Sequence, residues 1–203
     1  MSIITGIRQA EISDVAKIAT IHVECWREVY TFMPDEVQSQ RGFEYRSRQW
    51  QHWFETRPPG QAVYVLEDGK EVVGFAVAKP NSDPAIDAIG EFHACYILPE
   101  YRGGASGPMA MQALAEFLKS EALWPACVWA FKSNPYRRIY PALGCEPKVF
   151  RDRFIAGVAL PEIGYRVTDF DKLMARLDRM RASAAQRQIQ SPRPQLLSSH
   201  LPA

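Results

Sequence analysis

The strongest chemical signal in the sequence is a run of small residues, Arg102-Gly103-Gly104-Ala105-Ser106-Gly107, which follows the apolar pair Ile97-Leu98. Residues with little or no side chain let backbone N–H groups approach an anion closely. A helix that starts in this run would add unpaired N–H donors and the positive end of its dipole. The run therefore predicts a cradle for a phosphate group. The residues alone leave a second interpretation open, a tight strand-to-helix turn that needs glycine only for its backbone angles.

Hydrophobic periodicity predicts the elements that would position this run. Strands are predicted at residues 3–8, 62–66, 72–77, 89–98, 126–131, 146–155 and 162–167. Helices are predicted behind the capping candidate Ser13, from Pro34 to about Glu55, after the small-residue run, and from Asn134 to Leu143. Asp68-Gly69 predicts a two-residue hairpin turn, and Gly144 predicts a helix end in the left-handed conformation. The order β-α-α-β-β-β-α-β-α-β-β indicates a mixed α/β fold.

The length of 203 residues favours one domain with an appendage, because a domain typically takes roughly 100–200 residues. We predict a domain over residues 1–168, a C-terminal helix over 169–184, and a flexible tail over 185–203, which is polar and contains no acidic residue. The last helix and its surroundings carry several basic residues, namely Arg176, Arg179, Arg181 and Arg187. We interpret them as cations suited to a helix C-terminus rather than as nucleic-acid contacts.

Taken in order, these pieces resemble the GNAT-type N-acetyltransferase superfamily over about residues 3–168. Its hallmark, Arg/Gln-x-x-Gly-x-Gly/Ala after the fourth strand, has its counterpart in Arg102 to Gly107. Further similar segments are Cys25-Trp26-Arg27-Glu28-Val29-Tyr30, Asn134, Ile139-Tyr140-Pro141-Ala142-Leu143-Gly144-Cys145 and Leu160-Pro161-Glu162-Ile163. The resemblance implies a central, mostly antiparallel mixed sheet, flanked by helices and splayed between its fourth and fifth strands, with acetyl-CoA in the opening.

The resemblance also implies which residues hold the coenzyme. They are Ile97, Leu98, Arg102, Gly103, Gly104, Ala105, Ser106, Gly107 and Asn134. Two residues depart from the usual loop. Ala105 takes a glycine position and would be penalised by its Cβ if the backbone there needs a positive φ. Pro108, expected at the first helical position, removes one N–H that would otherwise face phosphate. We therefore expect a cradle with fewer donors than the family usually has.

Tyr140 is the candidate catalytic acid. When an amine attacks a thioester, the coenzyme leaves as a thiolate, and a nearby phenol can protonate or hydrogen-bond the sulfur. Tyr140 stands at the position of the tyrosine that the family uses. The alternative is a buried tyrosine that only packs the short helix. Pro141, directly after it, can kink this helix and change where the hydroxyl lies.

Glu91 is the candidate catalytic base. An amine is mostly protonated near pH 7, so a carboxylate acting through water could accept its proton before attack. The alternative is an ion-paired carboxylate at the strand edge. Glu91, His93 and Cys95 share one face of the predicted strand by its two-residue period. We interpret His93 and Cys95 as core or wall residues rather than as a nucleophilic dyad, because no third group orients them.

Aromatic residues of the two N-terminal helices are the candidates for binding the acceptor. Trp26 and Tyr30, four residues apart, fall on one helix face. A helix needs such a face for packing before any ligand is considered, so core packing is the alternative for both residues.

Composition and charge limit the remaining classes. With 47% hydrophobic and 23% charged residues, the chain is an ordinary globular protein. Its formal net charge of +1 provides no overall field for nucleic acid or an anionic membrane. No apolar run approaches the ~20 residues of a membrane span, and we expect a cytoplasmic protein. The four cysteines stand singly, without a metal-binding spacing, so we expect reduced thiols and no metal.

The leading hypothesis is an N-acetyltransferase that moves an acetyl group from acetyl-CoA to an amine of a small molecule or peptide, by direct attack in a ternary complex. The expected partners are this acceptor and, as an open alternative, a second copy in a homodimer, with no nucleic acid and no membrane. The rival hypothesis is a non-catalytic acyl-CoA-binding sensor or interaction module on the same fold, motivated by Ala105, Pro108 and Pro141.

Overall fold

The structure, a computed structural model, describes residues 4–190 and consists of one seven-stranded sheet with helices on both faces. The strands are β1 (Gly6–Gln9), β2 (Ala62–Asp68), β3 (Glu71–Pro80), β4 (Gly90–Ile97), β5 (Ala126–Phe131), β6 (Glu146–Ile155) and β7 (Val158–Val167). Their order in the sheet is β1-β2-β3-β4-β5-β7-β6, and only the β4–β5 pair is parallel. The predicted mixed, mostly antiparallel sheet is confirmed.

Six α-helices flank the sheet in the described part of the chain. They are α1 (Val15–Val29), α2 (Asp35–Gln40), α3 (Phe43–Thr56), α4 (Ser106–Ser120), α5 (Ile139–Ala142) and α6 (Phe170–Gln190). The single helix predicted from Pro34 to Glu55 is wrong, because Gly42 takes an extended conformation that separates α2 from α3. The N-cap of α1 is Asp14 rather than Ser13. The Asp14 carboxylate instead accepts from the Arg8 guanidinium and the Glu11 backbone N–H.

The two faces of the sheet bury different helices. On one face, α1 and α3 pack on Val63, Val65, Phe75 and Val77. On the other, α4 and α6 pack on residues of alternate parity, including Leu66, Ala76 and Ala78. Successive strand side chains point to opposite faces, so β2 and β3 are buried on both sides.

The sheet opens between β4 and β5. The two strands pair only at Gly90–Ala126 and Glu91–Cys127, after which they diverge. A cleft of about 820 Å³ lies beyond this point, between the two strands. The predicted splay between the fourth and fifth strands is confirmed.

Local turns follow the glycine signals in part. Gly69 and Gly144 have positive φ values of 64° and 85°, and Gly144 ends a helix as predicted. The hairpin turn is Gly69-Lys70 rather than the predicted Asp68-Gly69, because Asp68 still pairs with Glu71. The last hairpin turns at Ala156-Gly157, so β7 begins four residues before the predicted Glu162 and passes through Pro161. Helix α6 extends six residues beyond the predicted 184. The remainder of the predicted tail, 191–203, lies outside the described residues. Within residues 4–190, no helix is both long enough and apolar enough to cross a membrane.

Candidate active site

The cleft between β4 and β5 gathers most of the residues that the sequence singled out. Those that line it are Tyr30, Ile97, Arg102, Gly103, Gly104, Gly107, Asn134 and Tyr140. Those that do not line it are Trp26, Glu91, Leu98, Ala105 and Ser106. Trp26, Glu91, Ala105 and Ser106 lie directly behind or beside the first group, as the contacts below show, and Leu98, next to Ile97, packs against the core.

The small-residue run forms the loop into α4 and presents free backbone donors. No acceptor in the described part of the chain bonds to the N–H groups of residues 103–107. The positive φ lies at Gly103, at 80°, whereas Ala105 is the N-cap of α4 with ordinary helical angles of −79° and −9°. The condition for strain at Ala105 is therefore not met in this structure, because its backbone is not in the left-handed region. Pro108 stands at the third helical position, where an N–H would have no partner within the helix.

The side chain of Arg102 holds this loop to the rest of the protein. Its Nε donates to the Ile97 carbonyl at 2.6 Å, and its two terminal nitrogens donate to the Glu28 carboxylate at 2.7 and 2.8 Å. Burial disfavours the charge of Arg102, but the hydrogen bonds that it donates to Glu28, Tyr136 and Cys25 outweigh burial and raise its pKa. The Arg102 guanidinium therefore links α1 to the loop. On the other side of the loop, the Ser106 hydroxyl donates to the Tyr101 carbonyl.

Tyr140 lies in the cleft despite the proline that follows it. A 3₁₀ turn over Pro135–Arg138 leads directly into α5, and Pro141 falls in the first turn of that helix, where no N–H is required. The ring of Tyr140 is 5.4 Å from the ring of Tyr165. Burial raises the pKa of Tyr140, and the nearby Cys95 and Tyr30 add to the effect, so the phenol keeps its proton at neutral pH.

Glu91 is buried behind the cleft and reaches it through His93. The Glu91 carboxylate is 2.7 Å from His93 Nδ1 and 3.4 Å from Lys79 Nζ. Burial works against the charge of Glu91, but the contacts with His93 and Lys79 outweigh it and lower the pKa of Glu91. His93 itself lines the cleft. The sequence placed the two on one strand face but did not show that the histidine stands between the carboxylate and the opening.

Tyr30 and Asn134 both line the opening, and their side chains are linked by a hydrogen bond. Tyr30 also bonds to the phenol of Tyr96, and burial raises the pKa of Tyr30. The Asn134 Oδ1 atom accepts from the Tyr136 backbone N–H, which fixes the start of the 3₁₀ turn. Trp26 is buried behind Tyr30, with ring centroids 4.4 Å apart.

Two further features of the cleft were missed from the sequence. Among the described residues that line it, none is acidic. Three arginines of α6 line it, Arg176, Arg179 and Arg187, where the sequence indicated only a helix C-terminus. Cys95 lines the opening, in keeping with its interpretation as a wall residue, and desolvation raises its pKa to about 12, which makes it a poor nucleophile at neutral pH. In residues 4–190, no group of three or more His, Cys, Asp or Glu side chains is arranged to hold a metal ion.

A sheet that opens between two parallel strands, beside a helix N-terminus with free N–H groups, is the architecture expected of the acetyltransferase class. Residues 16–144 match the model of the Acetyltransferase (GNAT) family. This span is more than half of the chain, and the chain belongs to this family of acyltransferases.

Relatives with curated descriptions agree. The chain is 30% identical over 176 residues to a Bacillus subtilis (strain 168) protein described as an uncharacterized N-acetyltransferase, YuaI, and the match covers 85% of this chain and 98% of YuaI. It is 25% identical over 137 residues to an N-acetyltransferase of Archaeoglobus fulgidus, covering 66% of this chain and 88% of that protein.

Solved structures share the fold. The acetyltransferase yncA from Salmonella typhimurium, determined with its cofactor acetyl-CoA, has a TM-score of 0.62 at 17% identity, covering 80% of this chain and 92% of that chain. The paiA N-acetyltransferase from Thermoplasma acidophilum, determined in complex with coenzyme A, has a TM-score of 0.59 at 14% identity, covering 80% and 98%. The predicted GNAT-type fold and family are confirmed.

Proposed function

We propose that this protein transfers an acetyl group from acetyl-CoA to an amine of a small molecule or peptide, by direct attack in a ternary complex. One observation carries the proposal: a single cleft joins free backbone donors at a helix N-terminus, a protonated phenol, and a histidine backed by a buried carboxylate. The first suits a phosphate, and the other two suit the proton movements of acyl transfer.

The residues present fit acetyl-CoA. The N–H groups of residues 103–107 are the natural donors to a pyrophosphate, and no carboxylate of the described cleft lining opposes it. Beyond Glu91, the edge of β4 that faces β5 pairs with no described strand, so its backbone groups are available to the amides of an extended ligand. When bound, acetyl-CoA supplies an activated acetyl thioester and a thiol leaving group.

His93 is the residue we assign to take the amine proton. It faces the cleft, and its Nδ1 is held by the Glu91 carboxylate, which leaves Nε2 as the atom able to accept a proton. The lowered pKa of Glu91 keeps this carboxylate ionised, so it orients the ring and stabilises the imidazolium that forms. Glu91, the candidate base from the sequence, therefore acts as a positioning residue in our proposal.

Tyr140 is the residue we assign to the leaving sulfur. Its raised pKa lies above that of an ordinary thiol, about 8.5, so complete proton transfer to a thiolate is uphill. A phenol in this state still donates a hydrogen bond to charge that develops on sulfur. We propose hydrogen-bond donation rather than full protonation as its role.

The acceptor would contact Tyr30 before Trp26. Tyr30 lines the cleft, whereas Trp26 supports it from behind and lies under the guanidinium groups of Arg41 and Arg46, each 5.2 Å from the indole centroid. Trp26 thus fixes the position of Tyr30. We propose that Tyr30, with Tyr96 beside it, forms the acceptor side of the cleft.

The features that motivated the sensor hypothesis have little effect on this geometry. Ala105 has helical backbone angles, and Pro108 and Pro141 each lie in the first turn of a helix, so neither proline breaks an intrahelical hydrogen bond. Pro108 does remove one N–H from the first turn of α4, which leaves the donors of residues 103–107 for the phosphate. Tyr140 and His93 both line the cleft beside these residues.

The test is incubation of the full chain with acetyl-CoA and a panel of amines, amino acids, polyamines and peptides. We expect free thiol to appear together with one acetylated product, identified by mass spectrometry. Binding of acetyl-CoA without thiol release across the whole panel would instead favour the sensor hypothesis. Tyr140→Phe should release thiol more slowly, and Tyr165→Phe is its matched control. Tyr165→Phe also loses a phenol hydroxyl, beside Tyr140, but from a residue outside the described cleft lining.

A further inference from the structure

Helix α6 presents a polar row to the cleft. Arg179, Ser183 and Arg187 are each four residues apart, so they lie one above the other along one side of the helix. The stripe that packs into the core is a different one, with Leu173, Leu177 and Ala184 buried. The row is therefore not a by-product of packing. It is a second face of the helix, and it lines the same opening as the small-residue loop.

The contacts between α4 and α6 show which end of the row lies near that loop. Lys119, at the end of α4, lies over the ring of Phe170 at the start of α6. Seven residues earlier in α4, Gln112 accepts from Arg181, which is eleven residues later in α6. The two helices thus run antiparallel. At about 1.5 Å per residue, the turn that contains Arg187 comes beside the first turn of α4.

The charge of the row is uncompensated. No ion pair in the described part of the chain includes Arg179 or Arg187, and no acidic residue occurs among the described cleft residues. Some arginines of this protein are paired, as Arg102 is with Glu28 and Arg151 is with Asp83 and Glu162, whereas the two arginines of the row combine the lack of an ion-pair partner among the described residues with a place in the cleft lining. Two guanidinium groups on either side of a hydroxyl offer several N–H donors and one O–H donor to a single anion.

We infer that Arg179, Ser183 and Arg187 bind the 3′-phosphate of coenzyme A. The inference rests on the proposed function, in which the loop donors of residues 103–107 take the pyrophosphate. The nucleotide end of the coenzyme then leaves the cleft beside the first turn of α4, where the row runs. The remaining charged group at that end of the coenzyme is the 3′-phosphate, a phosphate monoester. Guanidinium groups bind such a phosphate with pairs of charge-assisted hydrogen bonds. Helix α6 lies outside the 16–144 span of the family match, so this subsite would use residues that the family match does not cover.

The test compares coenzyme A with 3′-dephospho-coenzyme A by calorimetry on the full chain. The wild-type protein should bind coenzyme A more tightly. The double variant Arg179→Gln/Arg187→Gln should lose about 10- to 100-fold in affinity for coenzyme A, and change less than about threefold for the dephospho form. Ser183→Ala should lose less, about threefold, and again only for coenzyme A. Lys172→Gln removes a charge from the first turn of the same helix, outside the described cleft lining, and should change neither affinity.

Circular dichroism of the variants checks that α6 remains folded, which is expected because both arginines are exposed. Equal losses for the two ligands, or equal affinities of the wild-type protein for both, would overturn the assignment to the 3′-phosphate. An unchanged affinity of the double variant would overturn the subsite. A wild-type chain that binds neither ligand would contradict the proposed function as well, so the two failures are distinguishable.

Discussion

The two edges of β4 differ in how far they pair with a neighbouring strand. Along one edge, β4 pairs with β3 at seven positions from Gly74–Ile97 to Pro80–Gly90. Along the other, it pairs with β5 at two positions and then parts from it. On the closed side, where β4 pairs with β3, the face of β3 is covered by tightly packed rings of α1 and α3, with Phe75 5.2 Å from Trp50 and 5.4 Å from His22. The open edge is lined by a tyrosine, a histidine and exposed arginines.

The difference separates stability from chemistry within one strand. Burial of apolar rings on the closed side supplies free energy of folding, roughly in proportion to the area removed from water. The open side leaves backbone and polar groups unpaired, which costs stability unless a ligand satisfies them. Substitutions on the two sides should therefore affect different measurements.

The largest expected effect is on the closed side. Phe75→Ala removes a fully buried ring from the cluster of α1 and α3 and should lower the free energy of unfolding by about 3–5 kcal/mol. The measurement is urea denaturation followed by circular dichroism. Phe150→Ala deletes the same atoms from a side chain that is 69% exposed and should change stability by less than about 0.5 kcal/mol. Comparable losses for both would refute the closed-edge assignment of stability.

The next effect is on the open side and on turnover. Tyr140→Phe keeps the ring and its packing but removes the hydrogen-bond donor. The kcat for thiol release should fall about 100-fold, equivalent to about 2.7 kcal/mol, while the affinity for acetyl-CoA and the unfolding midpoint hold. A loss of less than about fivefold, with chemistry rate-limiting, would remove Tyr140 from the mechanism.

The pH dependence of folding stability should also report on the closed side. His22 is buried on the closed side, where burial and the charges of Arg46, His93 and Arg41 lower its pKa to about 2. The unfolded chain takes up a proton at this residue below about pH 6.5, and the folded chain does not. Stability should therefore fall on acidification, by up to about 1.4 kcal/mol per pH unit from this group alone.

The measurement is urea denaturation of the wild-type protein and His22→Leu at pH 7, 6 and 5. The variant loses the acceptor of the Trp50 indole N–H and should be less stable at pH 7. Its stability should then fall less steeply with acid than that of the wild type. Parallel slopes would show that His22 takes up its proton in the folded state.

Much of the fold could be predicted because its signals are local. Gly69 and Gly144 marked their turns, and the small-residue run marked the start of α4, since each depends on backbone angles that few residues adopt. The break at Gly42 was missed because the flanking residues are good helix formers. The first part of β7, before Glu162, was not predicted, because it contains Pro161 and a proline within a segment argues against a strand there.

The site was predicted less completely than the fold. The periodicity of the sequence identifies the apolar stripe of α6. It does not show that another side of the helix lines the cleft, so Arg179 and Arg187 were interpreted as residues of a helix end. The placement of His93 between Glu91 and the cleft depends on how far β4 and β5 diverge. That distance is a property of the assembled sheet and is encoded in no single segment.

The smallest expected effects separate two neighbouring residues of the loop at the open edge. Gly103 has a φ of 80°, so Gly103→Ala forces a Cβ into the left-handed region and should cost about 1–2 kcal/mol of stability, with weaker coenzyme A binding as the loop shifts. Ala105 has a φ of −79°, which alanine adopts without strain. Ala105→Gly should leave coenzyme A affinity unchanged within twofold and lower stability by only about 0.4–1 kcal/mol, because glycine has more freedom to lose on folding. Calorimetry and urea denaturation of both variants measure the pair. Tighter binding by Ala105→Gly would mean that the bound loop needs glycine angles at position 105, and that the loop changes conformation when the coenzyme enters.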